Sequence, residues 1–364
     1  MKFILFLLCS LLYVSIGYSQ TLSGYVYDEK ENLPLQGAFV YLDGTTLSAS
    51  TDSLGYFKII AKQKFSTDLV VSYIGFSNFK VSNPYQYINP IKILLREEVT
   101  KLDAVVISRE ASPFSREEML KVFRENFLGT SKAARSCRIT NEDAVVFHFD
   151  KNSNILYAKS IEPLQIRNNY LEYNVQFDLT DFGIRYKAMT LERCYQRAVY
   201  FSGTTSYKDI SKGNAAYKQR IEAYLGSIPH LMRTLVSNSW VNQKFKLYVN
   251  GMEADPQKYF KITDTLGVKK VTVIQGSNKA KPLNINTSGE TVEDLKKKQE
   301  AYLKKQGVIN FTVRYNGNEE SYFTCPTGIF YVDTNGQYFP ISNLRFEGYM
   351  SQFKVADMLP ADYR

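Results

Sequence analysis

The feature that most constrains this chain is a series of short strand-and-turn motifs crowded into its first hundred residues. Leu22-Ser23-Gly24-Tyr25-Val26-Tyr27-Asp28, Pro34-Leu35-Gln36-Gly37-Ala38 running into Phe39-Val40-Tyr41-Leu42, Thr51-Asp52-Ser53-Leu54-Gly55 and Ser72-Tyr73-Ile74-Gly75-Phe76 follow in that order. From Thr21 to about Ser108, β-type runs alternate with turn residues, the pattern of a sandwich and not of a helical domain. Side chains alternate across a strand, so Leu22, Gly24 and Val26 share one face, and Gly24 would let a neighbouring strand or ring approach closely. By the same period Val40 and Leu42 point inward, as do Phe57 and Ile59 in Tyr56–Ile60. Asp52 can accept backbone N–H bonds in its turn, and Gly55 can take positive φ. Leu69–Tyr73 and Ile91–Leu95 supply further strands.

The four motifs resemble the carboxypeptidase-like regulatory domain family, over roughly a quarter of the chain. That resemblance implies a seven-stranded, transthyretin-like β-sandwich in an accessory role. The module is also similar to the N-terminal extension of TonB-dependent outer-membrane receptors, where it ends in a segment like Leu102-Asp103-Ala104-Val105-Val106-Ile107. A plug and a large barrel follow there, and the residues after 108 are too few for such a barrel. The zinc site of the metallocarboxypeptidases belongs to a different domain, and it needs an H-x-x-E pair with a distant third ligand. Here His148 precedes Phe149-Asp150-Lys151 and His230 precedes Leu231-Met232-Arg233, and there is no third histidine. No metal or cofactor is expected.

Lys2, the apolar run Phe3–Ile16 and the small-x-small triplet Gly17-Tyr18-Ser19 read as a signal peptide over residues 1–19. The expected destination is the periplasm, the outer-membrane surface or the medium. The apolar run is shorter than the about 20 residues that span a bilayer, and nothing later replaces it, so the mature chain is expected to lack a transmembrane segment. Peripheral association with the outer membrane stays open. Lys and Arg number 45 against 36 Asp and Glu, a net charge of +9. That balance reads as a solvated basic surface or as attraction to anionic polysaccharide or lipid headgroups. Nucleic acid is not an expected partner for an exported protein. Cys137, Cys194 and Cys325 leave open one disulfide with one thiol, or three buried thiols.

Residues 109–364 change character. Pro113-Phe114-Ser115-Arg116-Glu117-Glu118 has the form of a capping box, with Phe114 and Met119 as a hydrophobic staple. A helix is predicted through Phe127, stopped by Gly129. Strands are predicted at 144–149, 156–158, 173–179, 197–201, 244–249, 270–275, 309–315 and 328–332. A helical zone over 215–238 breaks at Gly226-Ser227-Ile228-Pro229, with Ser227 capping the second part, and another helix is predicted over 291–306. The fold class is thus mainly β with α+β: the sandwich over 20–108, then a larger α+β domain over 109–364 with an antiparallel sheet and several helices.

The densest polar cluster is Arg220, Tyr224, Ser227, His230 and Arg233. Spacings of three and four place these residues on shared helical faces. One reading makes His230 a base and the arginines clamps for a carboxylate or phosphate; the other has Ser227 capping, His230 hydrogen-bonded at a helix start and the arginines on the surface. Neither Gly203-Thr204-Thr205-Ser206-Tyr207 nor Gly226-Ser227-Ile228 forms a G-x-S-x-G elbow, and no phosphate loop is present. The acid pairs Glu142-Asp143 and Glu319-Glu320 have no supporting context. With 27 Tyr and 23 Phe, sugar stacking is conceivable, although half-packed strand tyrosines account for the same count. The expectation is a non-enzymatic cell-envelope protein, an accessory or binding module for a protein or glycan. The alternative is an exported hydrolase with its site near His230.

Overall fold

The computed structural model describes residues 20–88, 90–98, 112–265, 267–274 and 307–363. The leader at 1–19, the segment 102–107, the expected domain boundary at 108/109, the helix expected over 291–306 and the end of the strand expected at 275 lie outside the described residues. The chain divides into two compact units, Met1–Asp43 with Leu47–Lys101, and Gly44–Thr46 with Leu102–Arg364.

The first unit contains β1 (Gln20–Asp28), β2 (Phe39–Leu42), β3 (Ser48–Ser50), β4 (Tyr56–Ala61), β5 (Leu69–Ser72), β6 (Phe79–Val81) and β7 (Ile91–Leu95). They form two sheets, β4-β1-β7 and β3-β2-β5-β6, antiparallel except for the parallel pairing of β1 with β7. Leu22, Val26, Phe57, Ile59 and Ile93 from one sheet and Val40, Leu42, Leu69 and Val71 from the other are buried, a β-sandwich core. Gly24 does what its face predicts: a Cβ there would lie 2.3 Å from the Ile91 carbonyl oxygen and 2.7 Å from the Phe57 ring. Asp52 Oδ1 accepts the Leu54 and Tyr56 N–H groups at 2.9 Å each, and Gly55 sits at φ +74°. The period-two reading left Tyr41 facing outward, yet it is buried, and in β5 the successive residues Leu69, Val70 and Val71 are all buried, so the central strands β2 and β5 are covered on both faces.

The second unit holds two cores. The first begins with α1 (Arg116–Phe127), where Ser115 Oγ accepts the Glu118 N–H and Glu118 Oε2 accepts the Ser115 N–H, the reciprocal box. Gly129, at φ +100°, donates to the Arg124 carbonyl at its end. Then come α2 (Lys132–Arg135), β8 (Cys137–Ile139), β9 (Val145–Asp150), β10 (Ile155–Ser160), β11 (Leu164–Asn168), β12 (Tyr173–Tyr186) and β13 (Gln196–Asp209), in one antiparallel sheet.

β12 organises this sheet. One edge is shared between β11 and β10, and the other pairs with β13 along nearly its whole length. The sequence predicted strands only at 173–179 and 197–201, because polar and glycine residues interrupt the alternation. The structure carries both strands through with a bulge: Leu179 faces Gly203, Asp181 faces Ser202, and Thr180 is the extra residue. That insertion switches parity, so Tyr173, Val175, Phe177 and Leu179, then Phe182, Ile184 and Tyr186, are all buried. α1 packs on this face, with Phe127 4.9 Å from Phe177 and Phe123 4.7 Å from Phe182 between ring centroids.

After α3 (Tyr217–Tyr224) and α4 (Ile228–Ser237) the second core is built from β14 (Phe245–Val249), β15 (Met252–Ala254), β16 (Phe260–Thr265), β17 (Val268–Val273), β18 (Asn310–Tyr315), β19 (Glu319–Thr324), β20 (Ile329–Val332), β21 (Tyr338–Phe339) and β22 (Arg345–Gly348). Two antiparallel sheets, β15-β14-β18-β19-β22 and β16-β17-β20-β21, enclose Phe260, Phe311, Phe323 and Phe330. Leu231, Met232 and Leu235 of α4 join the same core. Beyond it the chain returns to the first core. Val355 and Ala356 are buried there, Ala356 donates to the Leu128 carbonyl, and the Asn168 amide donates to the Ala356 carbonyl at 2.8 Å. No helix among the described residues is long and apolar enough to cross a membrane.

Candidate functional site

The α3–α4 corner forms where the sequence places it. Gly226 takes φ +76° and turns the chain between the helices, and a Cβ there would meet the Tyr315 ring at 2.9 Å. Ser227 then caps α4 by accepting the His230 N–H, with Pro229 in the first turn. This cap turns the His230 ring back onto the corner, where Nδ1 accepts the Gly226 N–H at 3.0 Å. Because Nδ1 is an acceptor, the ring proton sits on Nε2, which donates to Gln243 Oε1 at 2.8 Å. Tyr224, Phe245 and Tyr315 surround the imidazole with ring centroids 4.8, 4.8 and 5.5 Å away. Only 2% of His230 is exposed. Burial, and secondarily the Arg233 charge, push its pKa below the ordinary imidazole value. A neutral ring with both nitrogens engaged holds the corner together and has no lone pair left for a substrate proton.

The two arginines diverge. Arg233 reaches out of α4 to donate Nε–H to the Asn335 carbonyl at 2.8 Å and Nη2–H to the Tyr363 carbonyl at 3.4 Å, with its guanidinium 5.0 Å from the Tyr224 ring centroid. Gly336, at φ +79°, lets the turn come this close: a Cβ there would be 2.4 Å from the Pro229 carbonyl oxygen. Arg220 points the other way, into the first core. It donates to Asp209 Oδ2 at 2.7 Å and Oδ1 at 2.8 Å, to the Leu171 carbonyl at 2.9 Å and to the Glu172 carbonyl at 3.1 Å, and it lies 3.9 Å over the Tyr173 ring. The expectation that both arginines sit on the surface is therefore corrected for Arg220, which is buried because four acceptors satisfy its fork.

The five residues thus divide into two knots. Tyr224, Ser227, His230 and Arg233 fasten the helix corner, while Arg220 ties the start of β12 to the end of β13. The partners Asp209, Gln243, Asn335 and Tyr363 were missed in the sequence reading. Each lies 11 or more residues from the group it holds, and no local spacing marks it.

The other sequence candidates are also placed. Ser206 is a buried residue within β13, so its segment is a strand and not a strand-to-helix elbow. Glu142 is ion-paired with Arg124, and Glu320 with Arg314 at 2.6 Å. All three described cysteines are free: Cys137 and Cys325 are buried, whereas Cys194 is exposed. Both cysteine alternatives are corrected by this, since no pair forms and one thiol meets solvent. Burial pushes the Cys137 thiol up to about 12 and also raises Cys325, far from a reactive thiolate. Among the described residues no three His, Cys, Asp or Glu side chains come together as metal ligands.

Residues 22–107 match the family model of the CarboxypepD_reg-like domain, about a quarter of the chain. No curated protein matches the chain.

Proposed function

We propose that the chain is an exported, non-enzymatic cell-envelope protein, in which the sandwich is an accessory module and the second unit binds a protein or glycan partner. The CarboxypepD_reg-like match over residues 22–107 fits an accessory or binding module. The observation that carries the non-enzymatic reading is the state of His230: neutral, 2% exposed and bonded through both nitrogens. A general base must be within hydrogen-bond reach of the proton it takes, and this imidazole spends its acceptor on Gly226. The side chains of Ser227, Arg220 and Arg233 are spent in the same way, on the capping and tying bonds of the two knots.

The test uses the full chain purified from its native compartment, with N-terminal sequencing and substrate profiling in parallel. The reading expects an N-terminus at Gln20, retention of an envelope protein or glycan, and no turnover of peptide or ester libraries. Turnover that disappears in a folded His230→Gln variant would overturn it in favour of the hydrolase. An intact Met1 on cytoplasmic protein would overturn the export part.

A further inference from the structure

One edge of the β12 sheet, β13, is open over part of its length. Backbone groups alternate sides along a strand, and two bonds fix which residues of β13 point outward. The Thr205 carbonyl accepts the Gly44 N–H at 2.7 Å, and the Tyr207 N–H donates to the Thr45 carbonyl at 2.9 Å. Counting back by twos, Gly203, Phe201 and Val199 turn their N–H and C=O groups away from β12. Among the described residues no backbone group pairs with that side of these three. Nothing blunts the stretch: Ala198-Val199-Tyr200-Phe201-Ser202-Gly203 has no proline and no charge, and the extra residues of the two register shifts, Thr180 and Arg197, lie outside it. Gly183 keeps the edge clear. The Tyr200 ring lies back over β12 in the space that Gly183 leaves, where a Cβ would fall 2.4 Å from Tyr200 Cζ and 2.5 Å from its hydroxyl. Ala198, Tyr200 and Ser202 are exposed on that face, while Val199 and Phe201 pack against the first core on the other.

We infer that this edge pairs with the same edge of a second copy of the chain, β13 against β13, antiparallel about a two-fold axis at Tyr200. The free length sets the register. Centring on Tyr200 places Val199 opposite Phe201 of the second copy and Phe201 opposite its Val199, so the outward groups of both residues are satisfied in two hydrogen-bonded pairs. Centring on Phe201 would bring Arg197 of the second copy onto Thr205, whose carbonyl Gly44 already holds; centring on Val199 would set Gly203 against Tyr195, outside the strand. Charge favours the same arrangement. Asp181 pairs with Ser202 and Arg185 with Ala198, so each row across the axis reads Asp181, Ser202, then Ala198 and Arg185 of the second copy. Such a row is small at the seam and opposite in sign at its ends, and no like charges face each other across it. A foreign strand would use the same backbone bonds, but the matched charges and the fitted length are what a copy of β13 adds. The inference goes beyond the binding reading above: it concerns the chain's pairing with itself, and neither depends on the other.

The test is sedimentation equilibrium of the full chain up to roughly 100 μM. A dimer with a micromolar Kd is expected, in keeping with a seam of few residues. Val199→Pro removes an outward N–H that β12 does not use, and is expected to raise that Kd at least tenfold with unchanged melting. Tyr200→Lys, which sets two ammonium groups opposite each other at the axis, is expected to do the same. Register is read by cross-linking in a Cys194→Ser background. Tyr200→Cys puts the two thiols in a directly opposed, non-hydrogen-bonded pair with Cα atoms about 4.5 Å apart, and is expected to form a disulfide-linked dimer. Ala198→Cys, whose two copies lie about 14 Å apart in this register, is expected to stay unlinked. A monomer at every concentration overturns the inference, as does a dimer that survives both Val199→Pro and Tyr200→Lys, or equal cross-linking of Ala198→Cys and Tyr200→Cys. If the proline lowers the melting temperature, the lysine variant and the cross-linking decide the question without it.

Discussion

Replacing Arg220 with methionine, which keeps most of the buried volume and removes the fork, should destabilise the second unit far more than replacing its acidic partner. The guanidinium side chain is 9% exposed and the Asp209 side chain 44%. Removing Arg220 strands the buried Leu171 carbonyl at a cost of about 1–3 kcal/mol, while the Glu172 carbonyl keeps the Ile210 N–H; Asp209 is rehydrated, and solvent screening holds its share to about 1 kcal/mol or less. With the lost stacking on Tyr173, Arg220→Met is expected to cost about 2–4 kcal/mol and Asp209→Asn about 1 kcal/mol. Urea denaturation followed by Trp240, the single tryptophan and a member of the second core, measures both. Far-UV circular dichroism on the same samples tests whether the two cores unfold together. The pair also leaves a pH signature. The bond from Arg220 holds the Asp209 carboxyl below the usual carboxylate range, against the effect of burial, and Ser211 adds to it. A depressed carboxylate stabilises the fold above its unfolded value of about 3.9, and the contribution is lost as pH falls through the lower folded value. Wild-type stability should therefore fall more steeply below about pH 4 than that of Arg220→Met. Equal costs for the two substitutions, or a loss under about 1 kcal/mol for Arg220→Met, would refute the assignment of the stabilisation to the buried Leu171 carbonyl.

Two further outcomes follow from the same packing. Gly24→Ala would force a Cβ against the Ile91 carbonyl and the Phe57 ring, opening the β1–β7 pairing, and is expected to cost about 3 kcal/mol by urea denaturation read on the sandwich tyrosines. His230 stays neutral in the folded protein where the unfolded chain takes a proton, so its contribution is present above about pH 6.5 and lost as pH falls through the lower folded value. A stability profile between pH 7.5 and 5 should slope less in His230→Gln than in wild type.

Local features were legible in the sequence wherever the deciding contact lies within a few residues. The Ser115–Glu118 box, the Ser227 cap, the Asp52 turn and the Gly24 approach all formed as their residue types dictate. The limits of β12 and β13 were not legible, because the bulge at Thr180 trades one polar residue for a parity switch that only the partner strand makes visible. The Arg220–Asp209 and His230–Gln243 pairs were hidden for a related reason. A buried charge or imidazole must find acceptors, but the sequence does not say which of many polar residues the topology brings near.

Val355 and Ala356 complete a core whose first wall, at Met119, is about 240 residues upstream. At ribosomal rates of about 5–20 residues per second, the nascent chain carries that core without its final two residues for roughly 10–50 s. Until Ala356 emerges, the Leu128 carbonyl and the Asn168 amide lack the groups that later satisfy them. A polypeptide built this way closes its first core only after most of the molecule has been made.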